Sequence, residues 1–305
     1  MLESVGIGVD TVCKDLAQYL QRSRGRGRPG KDPCGLAKAV LVQQYVEMAN
    51  RPLAGALSLY CEKLGLAWQP GYKDVERAYQ SPDVTVILLG LLELSVKAVR
   101  DERVFAVDGT GLSTSIKDNW ERYLLGQRRY GVFEKLVCVV GQRYGVISAF
   151  RVLESMHGHE SPVLRPLVEE VVKRHGGVGM VCGDSAFFSR ENCSLVGGLG
   201  GVPRFYPKKN ASLKSLGCRE YQDMLLSFIG DAQVWLEEYH QRYVCESAFS
   251  SLKRRCLLPL RRRVVGRRKL EVLARVVVYN LVRLSYSRWT KDLDTSFASF
   301  KRLAR

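Results

Sequence analysis

With 305 residues, 46% of them hydrophobic and 26% charged, the chain has enough apolar side chain for a sizeable core and is no disordered tail; one domain of ordinary size plus a smaller appended one is the natural partition. A formal net charge of +16 and a pI near 9.6 point to a polyanionic partner, nucleic acid first. No window approaches the roughly 18 uninterrupted apolar residues of a membrane span, and the opening MLESVGIGVDTVCKDL has no stretch fit for export, so a cytoplasmic protein without membrane association is expected.

Residues 1 to about 100 read as helical. Arg22, Arg24, Arg26, Arg28 and Lys31 lie in a Gly-punctuated segment suited to an arm on nucleic acid. Leu36 to Met48 repeats apolar residues at helical intervals. Asn50 before Arg51 and Pro52 has the form of a cap with proline in the first turn, and Ser81 before Pro82 and Asp83 repeats it. The stretch GYKDVERAYQSPDV between them is polar enough for a connection plus one short helix.

Near residue 103 the texture changes to short runs rich in Val, Ile, Phe and Tyr. VFAVDG, KLVCVVG and VISAFRVLE follow at short spacing with glycines marking turns, and the fully apolar first run should be buried on both faces. Pro162 to Arg174 reads as a helix, VGMVCGD as another buried run and VPRFYPK as a fifth. Strands, helix, strand, helices, strand and a long final helix make an α/β pattern with a mixed sheet. The segment from Lys208 to about Gly230 has too few strand-like runs for a second large domain and reads as an insertion. Nine cysteines, without a C-x-x-C pair or a Cys/His grouping at zinc spacing, fit a reducing compartment. Cys138, Cys182 and Cys245 fall in apolar runs and read as small buried hydrophobes.

Two of the apolar runs end in an acid: Asp108 closes VFAV and Asp184 closes VGMVCG. A carboxylate at the C-terminal end of a buried strand stands at the sheet edge where ligands bind, and two such strands side by side would bring both within reach of one metal ion. Alone each acid is more often a turn former or helix cap, and Asp184 before Ser185 suits that role. Tyr239, Arg242, Glu246 and Lys253 are more specific. At about 100° per residue they fall within an arc of about 60° on a helix, beside an apolar stripe of Val244, Cys245, Ala248, Phe249 and Leu252. An i,i+4 ion pair on a solvated face would explain this less well, because Arg before Glu is the weaker orientation.

From Ser251 to Arg305 there are sixteen Lys/Arg and three Asp/Glu, so most of the net charge is C-terminal. Lys253, Arg254 and Arg255, then Arg261, Arg262 and Arg263, form runs that suit phosphate contacts better than a merely solvated face.

Tyr239-x2-Arg242-x3-Glu246-x6-Lys253 resembles the Y-R-E-K signature of the DDE transposases of prokaryotic insertion sequences. VDGTG around Asp108 and GDSAF around Asp184 look like that family's two aspartate motifs, and HES at 159 to 161 is similar to its His-Asp-Ser segment, with Glu160 in place of Asp at a position expected to touch no catalytic group. YPKKNA at 206 to 211 and VVVYNLVRL at 276 to 284 extend the likeness. The resemblance implies a ribonuclease H-like catalytic domain at 101–290 with its insertion around 208–230: a mixed five-stranded sheet flanked by helices, preceded by an all-helical DNA-binding or dimerisation domain at 1–100 and followed by a basic tail at 291–305. It implies that Asp108, Asp184 and Glu246 hold two divalent ions, normally Mg2+ with Mn2+ able to substitute, and that Tyr239, Arg242, Lys253 and the later arginines contact DNA. The expected activity is cleavage at terminal inverted repeats and transfer of the 3′ ends to target DNA, by a nucleoid-associated homodimer at paired ends. A nuclease of the same fold without strand transfer and a silent DNA-binding relic are the alternatives. His159 is a candidate helper or a structural histidine, and Trp235 reads as core.

Overall fold

A computed structural model of the chain describes residues 1–22, 31–99, 101–114, 133–153, 158–213, 217–255 and 259–290. The expected tail at 291–305, and the side chains of Arg22, Arg24, Arg26, Arg28, Arg254 and Arg255, lie outside what is described. The chain divides into two compact units, Val99–Lys253 and Met1–Ala98 with Arg254–Arg305. The front boundary falls where the strand-like texture begins. The back one falls at Arg254: the chain from there onward groups with the N-terminal helices, whereas the sequence reading carried the catalytic domain to residue 290.

The first unit is built on strands β1 (Val104–Ser113), β2 (Phe133–Gly141), β3 (Ile147–Leu153), β4 (Met180–Gly183) and β5 (Val202–Phe205), ordered β3-β2-β1-β4-β5. β1 pairs antiparallel with β2 and parallel with β4, giving the expected mixed sheet with β1 at its centre. Phe105, Ala106 and Val107 are buried, as a fully apolar central run requires. Gly183 pairs with Val107, and a Cβ there would meet Val107 Cγ1 at 2.9 Å, so only glycine lets these strands close over the core.

Helix α7 (Leu164–His175) lays Leu164, Leu167, Val168 and Val171 on β2 and β3, and Gly176 in the left-handed region ends it. α8 (Arg190–Gly198), whose first turn is capped by Ser189 Oγ accepting from Asn192 N at 3.1 Å, packs on β5. The insertion contributes α9 (Arg219–Gly230), which buries Tyr221, Met224 and Leu225 in the same core. Against the strands also lie α10 (Ala232–Tyr239), on β4 and β5, and a 3₁₀ turn (His240–Arg242), on β1 and β4; α11 (Tyr243–Arg255) follows.

The other unit contains α1 (Leu2–Asp15), α2 (Ala17–Arg22), α3 (Pro33–Val46), α4 (Asn50–Leu64), α5 (Tyr72–Ala78), α6 (Pro82–Lys97) and α12 (Val265–Thr290). α3 is buried along most of its length and packs on α1, α5, α6 and α12. Ser81 caps α6 as expected, accepting from Val84 N at 3.3 Å. Asn50 does not cap α4: Ala49 stands at the cap, and the Asn50 side chain turns inward to accept from Gln43 Nε2 at 2.9 Å. The expectation of reduced cysteines also needs correction, since Cys13 of α1 and Cys34 of α3 form a disulfide with Cα atoms 6.3 Å apart. No helix among the described residues is long and apolar enough to cross a membrane.

Candidate active site

Parallel pairing aligns Val107 with Gly183, so Asp108 and Asp184 follow side by side, Asp184 just past the end of β4 and Asp108 within β1, which does not close there as the sequence suggested but runs on, paired with β2, to Ser113. Val107 packs into the core with α7 and α8; alternation along a strand therefore turns Asp108, and Asp184 beside it, to the opposite face. That face meets the 3₁₀ turn His240–Arg242. Beneath it, Cys138, Cys182 and Cys245 are fully buried, and burial holds each thiol above its ordinary range, with Cys182 pushed up to about 12. They form an inert floor, as their apolar sequence settings indicated.

Arg242 NH1 donates to Asp108 Oδ2 at 2.7 Å and Arg242 NH2 to Glu246 Oε1 at 2.8 Å, so one guanidinium ties together two of the three sequence-chosen acids. Asp108 Oδ1 accepts from Gly109 N at 2.9 Å. Asp184 Oδ1 accepts from Ala186 N at 2.9 Å, so this residue does form the turn that its sequence context also allowed. Asp108 is pushed up to about 6: burial raises it most, the Gly109 N–H and Arg242 oppose, and the charges of Asp184 and Glu160 raise it further. Burial works against the Arg242 charge, but Asp108, Tyr239 and Glu246 more than offset it. Among the described residues no three acids, imidazoles or thiols close into a ready cation cage, and Arg242 stands between Asp108 and Glu246.

The helix expected to run from Tyr239 to Lys253 is broken. Tyr239 ends α10, Arg242 ends the 3₁₀ turn, and Glu246 and Lys253 ride on α11. The apolar stripe holds from Cys245 onward, with Ala248, Phe249 and Leu252 also buried. Tyr239 stacks on Trp235, ring centroids 5.3 Å apart, and its ring lies 5.9 Å from the Arg242 guanidinium carbon. Trp235 is 1% exposed, a core residue as read. His159 and Lys253 are exposed.

Glu160 bears on Asp108 without touching it. Its carboxylate packs on Gly109, next to Asp108, where a Cβ would stand only 2.2 Å from Oε1, and Lys135 Nζ neutralises it at 2.8 Å. It stands on the core face of the sheet, so its influence on Asp108 is electrostatic.

The basic run at 261 to 263 divides by environment. Arg263 is exposed. Arg261 donates to the Glu47 carbonyl at 2.7 Å and lines a 510 Å³ cleft with Asn50, Arg51 and Tyr72. Arg262 is corrected from a DNA contact to an internal tie: it is buried, donates to Gln43 Oε1 and Asn50 Oδ1 at 2.9 Å each, and lies 3.8 Å over the Tyr79 ring.

Residues 99–281 match the family model described as the transposase DDE domain. The chain belongs to that family. The match begins at the first residue of the sheet unit and runs into α12, and the mixed five-stranded sheet flanked by helices is the ribonuclease H-like arrangement of a DDE domain. Membership makes this a transposase chain, of a kind that cuts DNA in transposition and recombination. No curated protein matches the chain significantly.

Proposed function

We propose that the protein is an insertion-sequence transposase that binds terminal inverted repeats, cleaves the phosphodiester at each element end and joins the freed 3′ ends to target DNA. The observation that carries the reading is the placement of Asp108, on the central strand, next to Asp184, just past the end of β4, with Glu246 linked to Asp108 through Arg242. The donor set suits a hard divalent cation, because carboxylate oxygens are what Mg2+ takes from protein. The Arg242 guanidinium, a cation already bridging two of the acids, shows that positive charge is accommodated there. Asp108, Asp184 and Glu246 would hold two ions, Mg2+ or Mn2+. When bound, such ions activate water or a 3′-hydroxyl and stabilise the leaving oxygen.

The chain's own residues have separate tasks. The sheet fixes Asp108 and Asp184, and α11 carries Glu246 on the turn beside its buried stripe. Lys253 and the runs beyond it, Arg254, Arg255, Arg261 and Arg263, steady the DNA backbone, arginine as a fork and lysine as a point charge. Tyr239, half-buried against Trp235, supports the Arg242 guanidinium. A second copy of the chain would hold the other element end.

The test is incubation of the purified protein with end-labelled terminal-repeat duplex and Mg2+. Cuts at the repeat boundary with joined products support transposition; cuts without joining would mark a nuclease, and no cut in active-site-intact protein a relic. Neutralising Arg261 and Arg263 together is expected to weaken binding to all sequences alike and to lower the slope of log affinity against log salt by about 0.9 for each phosphate that is no longer neutralised. A fluorescence titration at several salt concentrations reads the slope, and an unchanged slope would remove both residues from the interface.

A further inference from the structure

The two carboxylates proposed to hold cations are already occupied by a side chain. Both terminal nitrogens of Arg242 are spent on them, at 2.7 Å to Asp108 and 2.8 Å to Glu246, and the arginine side chain is 18% exposed. A divalent ion seeking Asp108 Oδ2 and Glu246 Oε1 therefore meets a cation bonded to both. The Arg242 pose is also incomplete, because its Nε is buried without an acceptor. The groups around it are Asp108, Glu246 and Tyr239, and none supplies that acceptor. A phosphate oxygen pair would, since a guanidinium takes phosphate through two parallel N–H donors.

The backbone favours movement at this residue. Arg242 closes a three-residue 3₁₀ turn between two helices, a geometry that marks hinges. Glu246 sits beyond it on α11, which is anchored by Cys245, Ala248, Phe249 and Leu252. Asp108 is held by the central strand. The arginine is thus the mobile member of the bridge.

We propose that Arg242 is a gate on the cation site: in DNA-free protein it occupies Asp108 and Glu246, and a DNA phosphate draws it away, freeing both acids for divalent ions. Metal binding then depends on DNA binding, so the hydrolytic centre assembles only on its substrate. This rests on the metal-holding role proposed above.

Mn2+ is the probe, with binding read from loss of the free-ion paramagnetic resonance signal. Without DNA, Arg242→Gln is expected to bind Mn2+ about tenfold more tightly than the parent protein, a usual size for coupled sites. A short duplex should raise the affinity of the parent by a similar factor, counted above the duplex alone and above the Glu246→Gln complex, and should add nothing to Arg242→Gln. Equal Mn2+ affinity in parent and variant without DNA, at unchanged melting temperature, overturns the gate and leaves the metal site standing. Mn2+ binding in no form, with or without duplex, overturns the gate together with the metal site. If Arg242→Gln does not fold, the parent decides alone: DNA-independent Mn2+ affinity refutes the gate.

Discussion

Asp184→Asn is expected to bind a terminal-repeat duplex about as well as the parent protein and to leave it uncut, with Mg2+-dependent cleavage lower by a factor of about 10³ or more, equivalent to about 4 kcal/mol. The substitution is clean for a structural reason. Asp184 closes its turn through one oxygen accepting from Ala186 N, and an asparagine carbonyl can accept the same bond. What changes is the negative oxygen offered to a cation, so metal ligation is lost and the fold is kept. Glu246→Gln behaves likewise, because a Gln carbonyl still accepts from Arg242 NH2. Asp108→Asn is less informative, since it weakens a buried ion pair along with the metal site. End-labelled cleavage and a gel-shift titration on the same preparations separate the two effects. Cleavage at the parental rate in either variant would falsify the assignment of these carboxylates.

Much of the site was legible because its signals are local. A buried strand announces itself by an unbroken apolar run, and an acid at the end of that run marks where full burial stops, even where, as at Asp108, the strand itself runs on. Asp108 and Asp184 could thus be chosen before their strands were known to be neighbours. Glu246 was readable from the stripe on α11, although the same periodicity was extended too far upstream. The 3₁₀ turn at His240–Arg242 carries no apolar marker of its own, so nothing in the residue pattern reveals that the rotation per residue changes there.

Features made by distant partners escaped the sequence. Three consecutive arginines look alike on paper; Arg262 becomes internal only because Gln43, Asn50 and Tyr79 arrive from the other end of the chain. Glu160 could not be seen to rest on Gly109 without the sheet that brings its turn and the strand together. The Cys13–Cys34 bond depends on α1 lying against α3, which no cysteine spacing encodes. α12 continued the family likeness in sequence, yet its apolar residues are spent on α3 and α6, and only packing decides which core a helix serves.

The largest stability effect is expected at Glu271, a residue with no catalytic role. It is 0% exposed on α12. Its carboxylate accepts from Arg275 NH2 at 2.8 Å, from Arg261 N at 3.0 and 3.1 Å and from Arg262 N at 3.1 Å. Glu271→Ala takes the carboxylate away from the 5% exposed Arg275, which keeps its bond to Gln44 Oε1, and leaves two backbone N–H groups without their acceptor. Removing one partner of a buried pair costs about 3–5 kcal/mol, a large share of the roughly 5–15 kcal/mol that holds a typical domain together. Urea denaturation of the full chain measures the loss. Adding Arg275→Met to Glu271→Leu should restore part of it, because the buried cation is removed together with its carboxylate, while the N–H groups of Arg261 and Arg262 stay unsatisfied in both variants. A loss below about 1 kcal/mol would mean that water reaches these groups, since only solvent could replace the carboxylate so cheaply.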